Sequence, residues 1–276
     1  MQVRNAVSPG EAQKFDTAQL REAFLITDLF KPGEIVMTYS HIDRIIVGSA
    51  VPEGKALELS AGKEIAAQSF LERRELGLIN IGATGTVSVD GQELLLEARD
   101  GLYVGRGAKD IKLTSADKGN PAKFYFLSAP AHTGYPTKKV SLAEAREVHL
   151  GERKDSNVRT IHQYVHPDIL ESCQLVMGMT ILEPENVWNT MPTHTHDRRM
   201  EVYLYFNLPE EAVVFHYMGE PAETRHLVVR NQQAVINPSW SIHSGVGTTN
   251  YNFIWGMVGE NQAFTDMDHV PMDTLR

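Results

Sequence analysis

The sequence predicts an all-β protein built from two successive sandwich- or barrel-like units with a few short helices. Three observations carry that expectation. Short runs rich in Val, Ile, Leu, Phe and Tyr recur along most of the chain and are broken by Gly, Asp-Gly and Pro, the rhythm of antiparallel strands and tight turns. A polar, punctuated stretch between residues 130 and 160 divides these runs into two series. The two series also echo each other: shifting by 125 residues lays Glu72-Arg73-Arg74 on Asp197-Arg198-Arg199, each an acid-Arg-Arg cluster at the mouth of an apolar run. The expected division is residues 1–140 and 141–276.

The first element is the exception to the β pattern. "DTAQLREAFLI" places Leu20, Phe24 and Leu25 at helical spacing behind Asp16 or Thr17 as N-cap, which predicts a short amphipathic helix. Strands follow in "HIDRIIVGSAV", "LGLINIGATGTVSVDGQELLLEA", "DGLYVGRG" and "AKFYFLSA". Within the second of these, Asp90-Gly91 suits the tight turn of a hairpin. The connector holds one helix-like piece, "SLAEAREV". The second series reads "SCQLVMGMTILEP", "EVYLYFNLP", "AVVFHYM", "HLVV", "QAVINP" and "YNFIWGMV".

Composition narrows the function classes. The 276 residues are 42% hydrophobic and 22% charged, ample for a core of ordinary soluble type. A formal charge of -9 disfavours nucleic acid and anionic membrane surfaces as partners. No stretch approaches the roughly 18 to 20 apolar residues of a membrane span, and the N-terminus lacks the apolar core of a secretion signal. The single cysteine, Cys173, has apolar neighbours and reads as a buried thiol in a reducing compartment. A cytoplasmic protein is expected.

One stretch points to chemistry. "MPTHTHDRRMEVYLYF" sets His194 and His196 on one strand face, where both can reach a single ion. Glu201 has the opposite parity and joins them only if the chain bends between, for which "DRR" is a plausible bulge. His243 follows Pro238, a strand-end signal, in "NPSWSIHSGVG". Three imidazoles and a carboxylate suit a first-row transition metal with a position left for water or substrate. The shifted positions in the first series are Ser69, Leu71 and Leu76, so only the second unit is expected to carry the site. Parity also places Tyr203 and Tyr205 with Glu201, and Trp188 and Thr190 with His194, as pocket-lining candidates or core aromatics. Arg199, beside the ligands, is a candidate grip for a carboxylate, with a structural ion pair as its competing role. His216 and His226 read as core or surface residues, and His162 and His166 are not counted as ligands.

The His194-x-His196 pair with Glu201, and Pro238 with His243, resemble the two motifs of the cupin superfamily. Trp188 and Leu208 replace the glycines of the first motif, and Gln232, Trp240 and Gly247 replace the Gly, Gly and Asn of the second. Longer segments, among them "YSHIDRIIVG", "APAHTGYPTKK", "WNTMPTHTHDRRMEVY", "PSWSIHSGVGT" and "FIWGMVGENQ", are similar to the bacterial 5-dehydro-4-deoxy-D-glucuronate isomerases over nearly the whole chain. That resemblance implies a cytoplasmic bicupin, commonly a homohexamer, with one zinc ion per chain on His194, His196, Glu201 and His243. It also implies a small-molecule deoxyuronate substrate, converted to 3-deoxy-D-glycero-2,5-hexodiulosonate in pectin and uronate catabolism. Arg199, Tyr203 and Trp188 are the expected substrate-binding side chains; the general base is not assigned. The competing expectations are a 5-deoxy-glucuronate isomerase of inositol catabolism, a cupin metal oxygenase, or a non-catalytic cupin.

Overall fold

The computed structural model describes all residues, Met1–Arg276. Strands dominate, at 43% of residues against 8% helix, and no helix is long and apolar enough to cross a membrane.

Two compact units emerge. One comprises residues 1–4, 28–146 and 164–177; the other comprises 5–27, 147–163 and 178–276. The chain therefore crosses between units more often than a single cut at 140/141 implies. The predicted helix, Thr17–Phe24, forms as expected, with Asp16 Oδ1 accepting from the Gln19 N–H and Gln19 Oε1 accepting from the Asp16 N–H, a reciprocal cap. It nevertheless belongs to the second unit, because the strand that follows, Leu25–Ile26, pairs with Val235 and Ala234. Residues 164–177 belong to the first. There the buried Glu75 carboxylate accepts N–H bonds from Cys173, Gln174 and Leu175 and a hydroxyl from Tyr103. These bonds hold Cys173 half-buried, with its thiol directed at the Thr133 carbonyl, rather than buried as expected.

The first unit has a seven-stranded sheet in the order Gln2–Arg4, Ile35–Ser40, Ile46–Ala50, Phe124–Pro130, Arg74–Asn80, Gly101–Val104, Lys138–Val140, and a four-stranded sheet in the order Leu57–Glu58, Ile111–Ser115, Gly85–Val89, Gln92–Leu96. Leu76, Leu78, Leu102 and Phe126 of the larger sheet pack with Val87, Leu96, Ile111 and Leu113 of the smaller, so the interior is apolar. The hairpin at Asp90-Gly91 forms, both residues having positive φ (49° and 87°), the twist that suits a two-residue turn.

The second unit repeats the plan. Its larger sheet runs Arg146–Leu150, Arg159–Val165, Val176–Leu182, Asn252–Gly259, Arg199–Phe206, Gln233–Asn237, Leu25–Ile26; its smaller sheet runs Trp188–Asn189, Ser244–Gly247, Val214–Glu220, Glu223–Val229. The helix-like piece in the connector is a strand instead. Ser141 and Glu144 make a capping pair, the Ser141 N–H and Oγ–H both reaching Glu144 Oε2 (2.8 and 2.7 Å), yet only one turn results before the strand Arg146–Leu150 begins. A cap satisfies local donors but cannot sustain a helix against sheet pairing of the residues beyond it.

Candidate metal centre

The strand expected to hold both histidines and the glutamate is broken in two. His194–Thr195 pairs with Asp268–His269, the chain turns with the Arg199 N–H donating to the His196 carbonyl (3.0 Å), and Arg199–Phe206 then runs in the middle of the large sheet. This bend cancels the parity difference and lets Glu201 face the histidines. His243 arrives from the other direction. The strand Gln233–Asn237 ends at Pro238, a turn closes between Ser241 N–H and the Pro238 carbonyl, and His243 sits just ahead of the strand Ser244–Gly247.

The four side chains converge: one donor atom from each of His194, His196, Glu201 and His243 lies within 4.8 Å of the others, and all four residues are buried. Nε2 of His243 is 3.0 Å from Nε2 of His194 and 2.9 Å from Glu201 Oε2, and Nε2 of His196 is 3.3 Å from the same oxygen. The Nδ1–H of His196 donates to the Arg199 carbonyl (2.8 Å), so its Nε2 is the atom turned inward with a lone pair, the orientation a metal ligand needs. The two Nε2 atoms at 3.0 Å either share one proton as an N–H···N bond or turn both lone pairs toward a common cation. The donor set, three nitrogens and one carboxylate oxygen in a buried cleft, thus fits a divalent transition metal.

The electrostatics agree with that requirement. Burial, reinforced by the neighbouring His243, pushes His194 down to about 2, so it stays neutral. Burial alone would raise the Glu201 carboxyl, but the facing His243 and His196 imidazoles hold it well below the usual carboxylate range. Burial likewise opposes charge on His196, yet the hydrogen bond of its Nε2 to Glu201 and the carboxylate charge raise it, so without a cation Nε2 holds a proton more readily than a free imidazole does, and a metal at this spot displaces that proton. A buried carboxylate among three imidazoles thus calls for compensating positive charge at this spot.

A cavity of about 250 Å³ adjoins the quartet, lined by His194 and Glu201 among others. Tyr203 lines it, its hydroxyl 3.0 Å from Thr190 Oγ1, and Thr190 lines it too. Burial keeps the Tyr203 phenol well above its ordinary range and so protonated. Tyr205 sits deeper, its hydroxyl donating to Nδ1 of His216, whose Nε2–H donates to Asn237 Oδ1 (2.7 and 2.8 Å). Burial takes His216 down to about 3, so this histidine is a neutral structural bridge and not a ligand.

Two expected substrate contacts lie elsewhere. Trp188 stacks on Tyr217 (6.1 Å between centroids, 17° between planes) and lines a different pocket, because the break after Asn189 ends the strand parity that tied it to His194. Arg199 is 1% exposed and gives one Nη2 bond to the Asp266 carbonyl (2.7 Å). It steadies the chain that carries Phe264, Met267 and His269 to the cavity. Arg198 grips the same chain through Asp266 (2.5 Å) and Asp268 (2.9 Å). Conversely, Arg159 and His269 line the cavity without having been singled out. Arg159 had a readable signal: Arg159 and Ile161 alternate on one face of the strand Arg159–Val165 and both line the cavity, but that strand begins at the edge of what reads as a connector. His269 had none.

Comparison with known proteins places these features in context. The KduI/IolB family model matches residues 25–272. The 4-deoxy-L-threo-5-hexosulose-uronate ketol-isomerase of Caldicellulosiruptor bescii is 59% identical over 276 residues, covering 100% of both chains, and that of Lachnoclostridium phytofermentans is 60% identical over 276 residues with the same coverage. Among solved structures, an IolB-like protein from Salmonella typhimurium superposes with a TM-score of 0.71 at 14% identity, over 90% of this chain and 96% of the other. Oxalate decarboxylase superposes at 0.61 with 10% identity, over 89% and 79%. At such identities these likenesses speak for the fold alone, a two-unit cupin-type arrangement.

Proposed function

This chain belongs to the KduI/IolB family, and we propose that it is a metal-dependent ketol-isomerase converting 5-dehydro-4-deoxy-D-glucuronate to 3-deoxy-D-glycero-2,5-hexodiulosonate in uronate breakdown. The observation that carries the proposal is full-length identity of 59 and 60% to relatives bearing the ketol-isomerase name. A 5-deoxy-glucuronate isomerase or an oxygenase is not favoured by those relatives. His194, His196, Glu201 and His243 are the proposed ligands of one zinc ion per chain, since the reaction moves a carbonyl between neighbouring carbons without net redox change. A cytoplasmic homohexamer is proposed on the family resemblance.

The hard step is removal of a weakly acidic proton alpha to a carbonyl. Bound at the quartet, a divalent cation supplies Lewis-acid stabilisation of the oxyanion that develops as the proton leaves. The chain's own groups do the rest. The Tyr203 phenol, held protonated by burial and 3.0 Å from Thr190 Oγ1, donates to a substrate oxygen. Phe253, Trp255, Met257 and Phe264 line the cavity and exclude water, which strengthens every polar contact made there. The His196 Nδ1–H bond to the Arg199 carbonyl keeps that ring in the ligating tautomer.

The test is NMR of metal-analysed protein mixed with freshly generated 5-dehydro-4-deoxy-D-glucuronate, with His243→Ala as control. Appearance of the 2,5-diketo acid, lost with the metal in the control, is expected. A fully metallated protein that leaves the substrate untouched overturns the assignment. In deuterated solvent, loss of the substrate's C2 hydrogen with label appearing on the carbon that was C1 marks an enediol route; full transfer of the C2 hydrogen to that carbon argues against it.

A further inference from the structure

A uronate brings a carboxylate into a cavity whose remaining walls are largely apolar, among them Leu150, Ile161, Phe253, Trp255 and Phe264. Such a charge needs a cation facing it. Arg199, adjacent to the ligands in sequence, is buried against the Asp266 carbonyl, and Arg198 is committed to Asp266 and Asp268. Arg159 is the one guanidinium that lines the cavity.

Its setting is that of a preformed anion site. Arg159 opens the strand Arg159–Val165, and its Nη1–H donates to the Asn157 carbonyl (2.8 Å), which fixes the plane of the guanidinium. No carboxylate pairs with it, and that bond is its only hydrogen bond to the protein. Burial pulls its pKa down, and the phenols of Tyr203 and Tyr251 lie near enough to act on it. A half-buried guanidinium with free N–H groups, facing a cavity and lacking an internal counterion, presents the fork that a carboxylate accepts in bidentate fashion.

We propose that Arg159 binds the substrate carboxylate and thereby sets the preference for a uronate over a neutral sugar. This rests on the isomerase reading above. With the acid held by Arg159, the rest of the sugar lies among the other lining groups, with Tyr203 beside Arg159 and His194 and Glu201 in the same cavity, an arrangement that orients a short acyclic substrate. Lysine keeps the charge but not the planar fork, so it restores only part of the affinity.

The experiment is steady-state kinetics of the metal-loaded wild type, Arg159→Gln and Arg159→Lys with the uronate, plus inhibition by an analogue whose carboxylate is replaced by hydroxymethyl. Arg159→Gln should raise KM for the uronate about 10- to 100-fold while kcat changes far less. The inhibition constant of the neutral analogue, the metal content and the melting temperature should stay as in the wild type, and Arg159→Lys should fall between. An unchanged KM in both variants overturns the role of Arg159 while leaving the isomerase reading intact, as does equal weakening toward uronate and neutral analogue. A wild type that does not act on the uronate defeats the isomerase reading and this inference with it. Because Arg159→Lys preserves volume and charge, a folding failure of Arg159→Gln still leaves a deciding measurement: Lys kinetics identical to wild type refute the fork.

Discussion

Gly178→Ala puts a single methyl group behind the cavity wall. Gly178 and Thr180 share a face of the strand Val176–Leu182, and Thr180 lines the cavity. The indole of Trp255 lies over that face, its Nε1–H donating to Thr180 Oγ1 (3.1 Å). A Cβ at position 178 would fall 2.2 Å from Trp255 Cζ2 and 2.7 Å from both Trp255 Cε2 and the His162 carbonyl. The carbonyl is backbone and cannot yield, so the indole must move by more than 1 Å to regain ordinary contact. Overpacking of this kind costs about 1–3 kcal/mol, and breaking the indole–threonine bond adds about 0.5–1.5 kcal/mol. The expected loss is thus about 2–4 kcal/mol, a fall in Tm of roughly 5–15 °C for a chain of this size. The displaced ring also encroaches on a cavity of about 250 Å³, so KM should rise by about tenfold or more, the usual consequence of losing a methylene's worth of room in a fitted pocket. Thermal melts and steady-state kinetics of metal-loaded protein measure both. Trp255→Phe removes the indole part of the clash but not the contact with the His162 carbonyl, so the double variant should be more stable than the sum of the single effects predicts while staying below Trp255→Phe alone. A Gly178→Ala protein with wild-type Tm and KM would refute the packing argument, as would strict additivity in the double variant.

Further outcomes follow from the same geometry. Tyr205→Phe leaves Nδ1 of the buried His216 without its donor and should cost about 1–3 kcal/mol in denaturant unfolding with metal content unaltered; a loss of metal instead would place His216 in the site. Stripping the divalent ion with a chelator should abolish turnover and lower Tm, since a ligand present at a thousandfold over its Kd contributes about 4 kcal/mol; readdition should restore both, and turnover that survives metal-free conditions would count against the quartet. The Asp266 and Asp268 carboxyls are held below their ordinary value of 3.8, chiefly by hydrogen bonds from Arg198. A depressed carboxyl contributes stability that is complete above its unfolded pKa and disappears as pH falls through the folded one. Amide exchange across residues 260–270, corrected for its intrinsic pH dependence, should therefore hold constant from pH 8 to 5 and rise only in stronger acid. Loosening already at pH 6 would mean another group holds this segment.

Much of this was legible in the chain because strand chemistry is local. Asp90-Gly91, the Asp16 cap and the apolar runs each state their own conformation. The clustering of the quartet was legible for a different reason: His194 and His196 are so close in sequence that any strand brings them together, and the polar "DRR" between them and Glu201 offered a place for the bend. What escaped notice depends on long-range pairing. The strand Arg159–Val165 starts inside polar text, and only its place beside Val176–Leu182 reveals that Arg159 faces the cavity. Trp188 was misplaced because parity holds only within one unbroken strand, and Trp188–Asn189 ends before the ligand segment begins. The piece "SLAEAREV" read as helix-like from its local composition, and local preference does not say whether the residues beyond have a better partner in a sheet, as Arg146–Leu150 do.

The two units show why one interior carries chemistry and the other does not. Their strand orders correspond one for one, and Leu76 and Glu201 are each the third residue of the central strands Arg74–Asn80 and Arg199–Phe206. Leu76 lies opposite Val104 and Ser128; Glu201 lies opposite Asn237 and Met257. In the first unit Leu71 and Leu76 are fully buried members of the apolar cluster, each contributing about 1.5–3 kcal/mol of burial. In the second, the positions matched to them are His196 and Glu201, polar groups whose burial is offset only through the partners they find in the quartet. Around them the unit adds polar support that the first lacks at this position: the His216 bridge to Tyr205 and Asn237, and the Arg199 carbonyl that orients His196. A sandwich closed by leucines needs no further partner, whereas the same sandwich with a buried His-His-Glu-His set is expected to gain stability when a cation binds there. On the proposed metal assignment, chelation should therefore lower protection from amide exchange in the second unit while leaving the first, whose matched positions are Leu71 and Leu76, unchanged.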